Sequence, residues 1–431
     1  MKNFTARCAK HTAGMFAACV AAVLMTACGG GDDAPAATAP VVTAAPEIPL
    51  VPVVPVVPVV TGSASGTLID AAVGGVSYIT SSGVTGTTAV DGSYDFNPGD
   101  TVTFTLGGLT LGTATATGII SPMELSGGSA VRLQNLLVLL QSLDSDGNPG
   151  NGVIIPAGAA AAVTSSVNLA GGTATFAADA GLQGTMTAGG VSGAPKSNDV
   201  ASAHFLAQAL PLVAGNIWVS QSVDVTGQTR TSVLNIESTG RYVQVEAGPS
   251  EVMDTNTIGA TGIEAGTLTA AGFTPQGYNF TATIATDSNL GWGVSGLLDC
   301  GRFRNTGDQL VTGNCTNSRG VFSKLPNTTM GIVGGWRTTY LDPEFGTEES
   351  IDHYFLANGT FLKAYYRPGC AKSCISSAYY GTYTAASGEI TLTGAGEIYG
   401  SPGTYTFSTD GREMTLEVRR SKVRTFTRLA R

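Results

Sequence analysis

Phe303-Arg-Asn-Thr-Gly307-Asp-Gln-Leu310 and Phe407-Ser-Thr-Asp-Gly411-Arg-Glu-Met414 are one pattern met twice, 104 positions apart. Phe322-Ser-Lys-Leu325 returns as Phe426-Thr-Arg-Leu429 at the same offset. Upstream, Gly266-Thr-Leu-Thr-Ala270 returns as Gly381-Thr-Tyr-Thr-Ala385, Gly240-Arg-Tyr-Val as Gly359-Thr-Phe-Leu, and Trp218 as Trp336, at offsets of 115 to 119. The order is kept and the offset drifts by a few residues, as loop deletions between two copies of one unit would make it drift. The copies occupy 211–326 and 331–431. Apolar and polar residues alternate within them, and such period-two stretches form strands. In the second copy eight strands are predicted, around 335–341, 350–357, 360–366, 378–384, 388–393, 403–408, 413–419 and 422–428. Asn358-Gly359 and Asp410-Gly411 join neighbours, and both turn residues accept positive φ, so they signal hairpins. Eight hairpin-linked strands favour an up-and-down barrel or a strongly curved meander, because closure removes exposed edges.

The rest of the chain agrees with a mainly β protein. Its 431 residues carry only 12% charged side chains, about half the roughly 25% of ordinary soluble domains. There are 58 Gly, and 22 Lys plus Arg face 31 Asp plus Glu, for a net charge of −9. That balance argues against a helical bundle, a coiled coil and a nucleic-acid partner. Small β-prone residues with many turn formers suit an exported all-β chain.

Residues 1–27 read as a secretory signal: a basic start, an apolar run from Ala13 to Met25 and small residues before Cys28. Leu24-Met25-Thr26-Ala27-Cys28 resembles the lipobox of bacterial lipoproteins, with Met25 where Leu is commonest. The resemblance implies that Cys28 receives diacylglycerol and an amide-linked acyl chain. Gly29 follows, not the Asp that retains such proteins in the inner membrane, so the implied location is the outer membrane, lipid-anchored on its periplasmic face or the cell surface. Residues 28–62 include Val51-Pro-Val-Val-Pro-Val-Val-Pro-Val-Val60, whose proline every third residue fits a polyproline II stalk.

Residues 63–157 open the folded part. Gly66-Thr-Leu-Ile-Asp70, Val76-Ser-Tyr-Ile79, Asp91-Gly-Ser-Tyr94 and Pro98-Gly-Asp100 follow in order, and Val102-Thr-Phe-Thr-Leu106 alternates strictly. This succession resembles carboxypeptidase-regulatory-like domains, which are transthyretin-like β-sandwiches. The resemblance implies a spacer or binding module with no catalytic residues of its own. Ala130 to Leu143 is a Leu-rich helix, and it runs into Asp144-Ser-Asp146-Gly-Asn148-Pro-Gly-Asn151. Four oxygen-bearing side chains in eight residues suit Ca²⁺. Yet the EF-hand pattern fails, with Pro149 at its sixth position and Ile155 at its twelfth. The same residues also end a helix and make a turn, and both readings stay open. Residues 158–210, rich in Ala and Gly, read as a loosely packed connector followed by a helix that Ser197-Asn198-Asp199 caps. His204 on that helix reads as a junction residue.

The opening of the second copy, Gly334-Gly335-Trp336, with Arg428 in its last strand, resembles the lipocalin-like pattern, in which a Trp on the first strand packs beneath a late Arg. Arg428 is then expected over the Trp336 ring as a cation on an aromatic face. The resemblance implies a small-ligand cup in the second copy. The first copy has Asn216-Ile217-Trp218 and Lys324 instead, so its closure is in doubt on this pattern.

Four Cys remain beyond the signal and Cys28. Cys300 and Cys315 are equidistant from a turn at Gly307-Asp308, and Cys370 and Cys374 flank Ala-Lys-Ser. The expected disulfides are 300 with 315 and 370 with 374, since the spacing is poor zinc grammar. For catalysis, only His204 and His353 offer an imidazole beyond the expected signal, and no nucleophile elbow, His-Glu-x-x-His or phosphate-binding loop is present. Asp352 and His353 face opposite sides of a strand and make no direct dyad. Carboxylate pairs such as Glu344 with Glu348 or Glu349 are the remaining catalytic route, and the chain reads as a non-enzyme. Aromatics concentrate in the second copy, with Trp336, Tyr354, Tyr365 and Tyr383 beside Arg428 as ligand-binding candidates for a glycan or a small apolar molecule.

The sequence therefore predicts a mainly β fold: an N-terminal β-sandwich with one or two helices, then two repeated antiparallel β-barrel or meander domains. The expected function is a surface binding or adhesion module of the cell envelope, with a lipocalin-like carrier or chaperone as the alternative. No cofactor is expected apart from the open reading of calcium.

Overall fold

The computed structural model describes residues 61–223, 227–249, 261–288, 301–313, 318–326, 330–344, 346–367, 377–394, 402–417 and 423–429. The signal, Cys28, most of the stalk and the four Cys expected to form disulfides lie outside them. No described helix is long and apolar enough to cross a membrane.

Two closed, eight-stranded antiparallel barrels form the C-terminal half, each with strands in sequence order. The first runs from strand Asn216–Val223 to strand Ser318–Lys324, and the second from strand Gly334–Leu341 to strand Arg424–Arg428. Closure falls at matching residues of the repeat: Trp218 pairs with Lys324, and Trp336 with Arg428. The doubt about the first copy is thus corrected, because it closes without the arginine. Its Trp218 indole donates instead to the Val213 carbonyl at 3.1 Å. Helix Ala209–Val213 packs against strands Gly262–Thr274 and Gly301–Asn305, and the barrel's apolar interior is continuous with the core of the N-terminal region. Phe205 marks the join, its ring centroid 5.0 Å from those of Phe273 and Tyr278.

In the N-terminal region two small sheets, with the short parallel pair Val73–Gly74 and Val153–Ile154, share a core. One holds strands Ser93–Phe96, Ala64–Leu68 and Ile119–Ile120, the other Thr85–Thr87, Ser77–Thr80, Thr101–Leu106 and Leu109–Thr115. Tyr94 contacts Tyr78 and Phe104 edge-on, with centroids 5.8 and 5.3 Å away. Helix Ala130–Ser142 buries Leu133, Leu136, Leu137, Leu139 and Leu140 against this core.

Residues 158–210 differ from the loose connector expected. Helices Ala157–Ala162, Thr173–Phe176 and Ala180–Ala188 pack there, and Val163, Val167, Leu169, Phe176, Leu182 and Met186 are buried. The small residues are what let them pack. A Cβ on Gly189 would meet Ala159 Cα at 2.4 Å, so the backbones touch where larger side chains would hold them apart. His204 is a junction residue as read, its Nε2 2.9 Å from the Asp70 carbonyl.

Each barrel has strands buried on both faces, such as Thr229–Ile236 and Glu348–Phe355. One face fills the interior. The other joins a shared apolar layer in which Val233, Val243, Val245 and Ile263 of barrel one meet Tyr354, Leu362, Ala364 and Tyr366 of barrel two.

Candidate functional site

The interior of barrel two is divided along its axis. At one end Trp336, Phe355, Phe361, Ile390, Leu392, Met414 and Phe426 form an apolar plug, none more than 2% exposed. Arg428 seals it, with Cζ 4.0 Å from the Trp336 ring centroid. Its guanidinium donates to the carbonyls of Gly411 at 3.0 Å, Val333 at 3.2 Å and Gly331 at 2.7 Å. The Trp336 indole donates to Ile332 at 2.8 Å. Cation, ring and three carbonyls satisfy one another, so the charge is at rest inside the barrel end.

Toward the other end the interior turns polar. Glu349, on strand Glu348–Phe355, is only 1% exposed. Its carboxylate accepts from Tyr340 at 2.6 Å, from Tyr365, and from Arg367 Nε at 2.9 Å. Arg367 Nη2 adds a contact at 2.8 Å and also faces Asp342 at 3.7 Å. Burial raises the Glu349 carboxyl, but the hydrogen bonds from the two tyrosines and Arg367 outweigh it and hold the pKa at about 2. Arg424 lies over the Tyr340 ring with Cζ 4.6 Å from its centroid. The mouth therefore shows two half-buried phenol rings locked by a carboxylate, flanked by two guanidinium groups.

Between plug and mouth stands His353. Its ring stacks on Phe426 with centroids 4.9 Å apart, and neither ring nitrogen has a hydrogen-bond partner. Burial first, then the charges of Lys363 and Arg424, push its pKa down to about 3, so the imidazole is neutral. Lys363 sits opposite it in the strand register and places Nζ 5.4 Å from the Tyr379 ring centroid.

The structure brings Trp336, Tyr365, Tyr383 and Arg428 to this interior. Tyr383 donates to the Leu356 carbonyl at 2.7 Å and packs edge-on against Phe355 at 5.0 Å. Tyr354 goes elsewhere. It points out of the barrel into the layer between barrels and donates to Asp352 Oδ2 at 3.0 Å. There Arg337 holds Asp352 with two hydrogen bonds of 2.6 and 2.7 Å and also bonds Glu237 of barrel one. Arg241 of barrel one donates to Tyr366 at 3.2 Å. Asp352 thus faces the interface while His353 faces the interior. Glu344 and Glu348 are exposed, whereas Glu349 is buried and held by tyrosines and Arg367.

Glu349, read from the sequence only as half of a carboxylate pair, belongs instead to this tyrosine–arginine network, and Arg367 was not singled out at all. Cross-strand register was the available signal, since Tyr340 and Glu349 are direct partners and Tyr365 and Arg367 follow at period two. Asp144, Asp146, Asn148 and Asn151 lie far along the chain in the loop after helix Ala130–Ser142. Among the described residues no group of three or more His, Cys, Asp or Glu is placed to hold a metal.

The molecule is thus a tandem eight-stranded barrel protein carried on an N-terminal sheet region. No family model and no curated protein sequence matches it. A solved structure that it matches is the DNA polymerase III β subunit of Thermotoga maritima, at 10% identity over 51% of this chain and 57% of that one, with a TM-score of 0.10. The chain spans little more than half of that protein's length, and a likeness so slight carries no argument about fold or function.

Proposed function

We propose that this chain is a non-enzymatic binding or adhesion module of the outer membrane, held there by acyl chains on Cys28 and a Pro/Val-rich stalk, and that the mouth of barrel two makes the contact. The observation that carries this reading is the network of Tyr340, Tyr365, Arg367 and Glu349. Phenol rings offer apolar faces, and the fixed carboxylate and guanidinium offer directional hydrogen bonds, which together suit a sugar ring. The groups are held by one another, so binding orders few side chains and costs little entropy. The plugged apolar end favours a mouth contact over a deep apolar cup.

Binding of the full-length protein to a glycan array and to host or bacterial cell surfaces tests it. Tyr340→Ala combined with Arg367→Ala is expected to weaken binding by about tenfold or more, the loss that one or two directional contacts carry. Native mass spectrometry before and after denaturation tests the carrier alternative. A small molecule released on denaturation would replace the adhesion reading. The anchor is tested separately, because Cys28→Ala should move the protein out of the detergent phase without altering its fold.

A further inference from the structure

The loop Asp144–Asn151 is more than a helix stop. Asp144 is 1% exposed, and while its Oδ1 accepts from Ile154 N at 2.9 Å, its Oδ2 is buried with no partner. The carboxyl group of Asp146 lies against it. Asp146 Oδ1 accepts from Asn148 N at 2.8 Å and Oδ2 from Asn151 Nδ2 at 2.9 Å. Among the described residues, no ion pair is formed by either acid. Two carboxylates in contact, one carrying a buried and unsatisfied oxygen, repel unless a proton or a cation lies between them. The loop also attracts positive charge: Lys196 places Nζ 2.7 Å from the Gly147 carbonyl. Gly147 has φ +69°, a left-handed conformation that glycine adopts without strain and that turns the chain within the loop.

We infer that this loop binds Ca²⁺, through Asp144 Oδ2, the Asp146 carboxylate, amide oxygen from Asn148 or Asn151, and water. The donors are all oxygen, which selects a hard cation over zinc or copper. Mg²⁺ demands tighter octahedral geometry and gives up its water reluctantly, so an irregular two-carboxylate loop favours the larger ion. Only two formal charges contribute and Lys196 stands close by, so the affinity belongs with extracellular modules, on the order of 10⁻⁴–10⁻³ M. The loop continues into strand Val153–Ile154, which pairs with Val73–Gly74, so the ion would tie the Leu-rich helix to the N-terminal sheets.

The test is thermal unfolding and calorimetric titration of the full-length protein with CaCl₂, against EGTA and equimolar MgCl₂. CaCl₂ at 10 mM is expected to raise the melting temperature by roughly 2–4 °C, with MgCl₂ having little effect. Asp146→Asn, at an exposed position where folding is safe, should weaken binding about tenfold or more, and Lys196→Met should tighten it. Absence of heat and of a melting shift at 10 mM CaCl₂ would overturn the inference, as would an unchanged response in Asp146→Asn. An equal response to MgCl₂ would overturn the choice of ion.

Discussion

His353 and Glu246 are buried titratable side chains that pull the stability of the molecule in opposite directions with pH. In the folded state the imidazole is depressed to about 3, whereas in an unfolded chain it titrates near 6.5. The unfolded chain therefore binds the extra proton first, and stability falls as pH drops from about 6.5 toward about 3. Glu246 is the reverse case. Burial raises its carboxyl to about 8 despite the charge of Arg230, so the folded protein holds a proton the unfolded one has lost, and stability falls as pH rises from about 4.5 to about 8. Each limb is worth up to about 5 kcal/mol. His353→Phe should flatten the acid limb and Glu246→Gln the alkaline one, read from melting temperatures between pH 4 and 9. A third side chain, Arg428, is expected to act through packing and hydrogen bonds. Arg428→Leu removes the donor from three carbonyls and should cost about 2–4 kcal/mol in urea unfolding, with the greater loss in barrel two. The Trp336–Arg428 pair was legible because Gly334-Gly335-Trp336 and the late Arg428 resemble the lipocalin-like pattern, in which such a Trp packs beneath an Arg. The ionisation of His353 was not, because it depends on which strand face is enclosed.

Among the elements, two glycines give opposite expectations. Gly307 turns the hairpin between strands Gly301–Asn305 and Gln309–Gly313 at φ +102°, and its added Cβ would meet Gly118 Cα at 2.8 Å. Here the backbone of barrel one touches the N-terminal sheet region, and Ile119 N donates to the Thr306 carbonyl at 3.1 Å. Gly307→Val should therefore cost about 2–4 kcal/mol, from both the backbone conformation and the clash. Gly184, inside helix Ala180–Ala188, is exposed and would meet nothing within 4 Å. Gly184→Ala should stabilise by about 0.5–1 kcal/mol, since alanine loses less backbone entropy on folding. Chemical denaturation of both variants checks the pair. Gly307 was readable as a turn residue from the repeat alone. Its contact with Gly118 was not, because the two positions lie 189 residues apart in the sequence.

For the molecule as a whole, the two barrels are joined by apolar packing around one buried ionic group. Asp352 is fully buried, and Arg337 bridges it to Glu237 of the other barrel. Arg337→Met would leave that carboxylate uncompensated and should cost about 3–5 kcal/mol. Calorimetry is then expected to show two transitions in place of one, while Arg337→Met combined with Asp352→Leu should recover most of the loss. Much of this architecture was open to the sequence: eight strands per copy, their hairpins and the order of the copies all follow from period-two alternation and from turn residues, which are local and survive without neighbours. Alternation cannot say which face is inside when both faces are buried. That is why Tyr354 turned out to face the other barrel, why Trp218 of the first is held by a helix carbonyl where Trp336 meets an arginine, and why Glu349 lies at the heart of the mouth. Those outcomes rest on contacts between residues far apart in the chain, and only the closed tertiary structure brings them together.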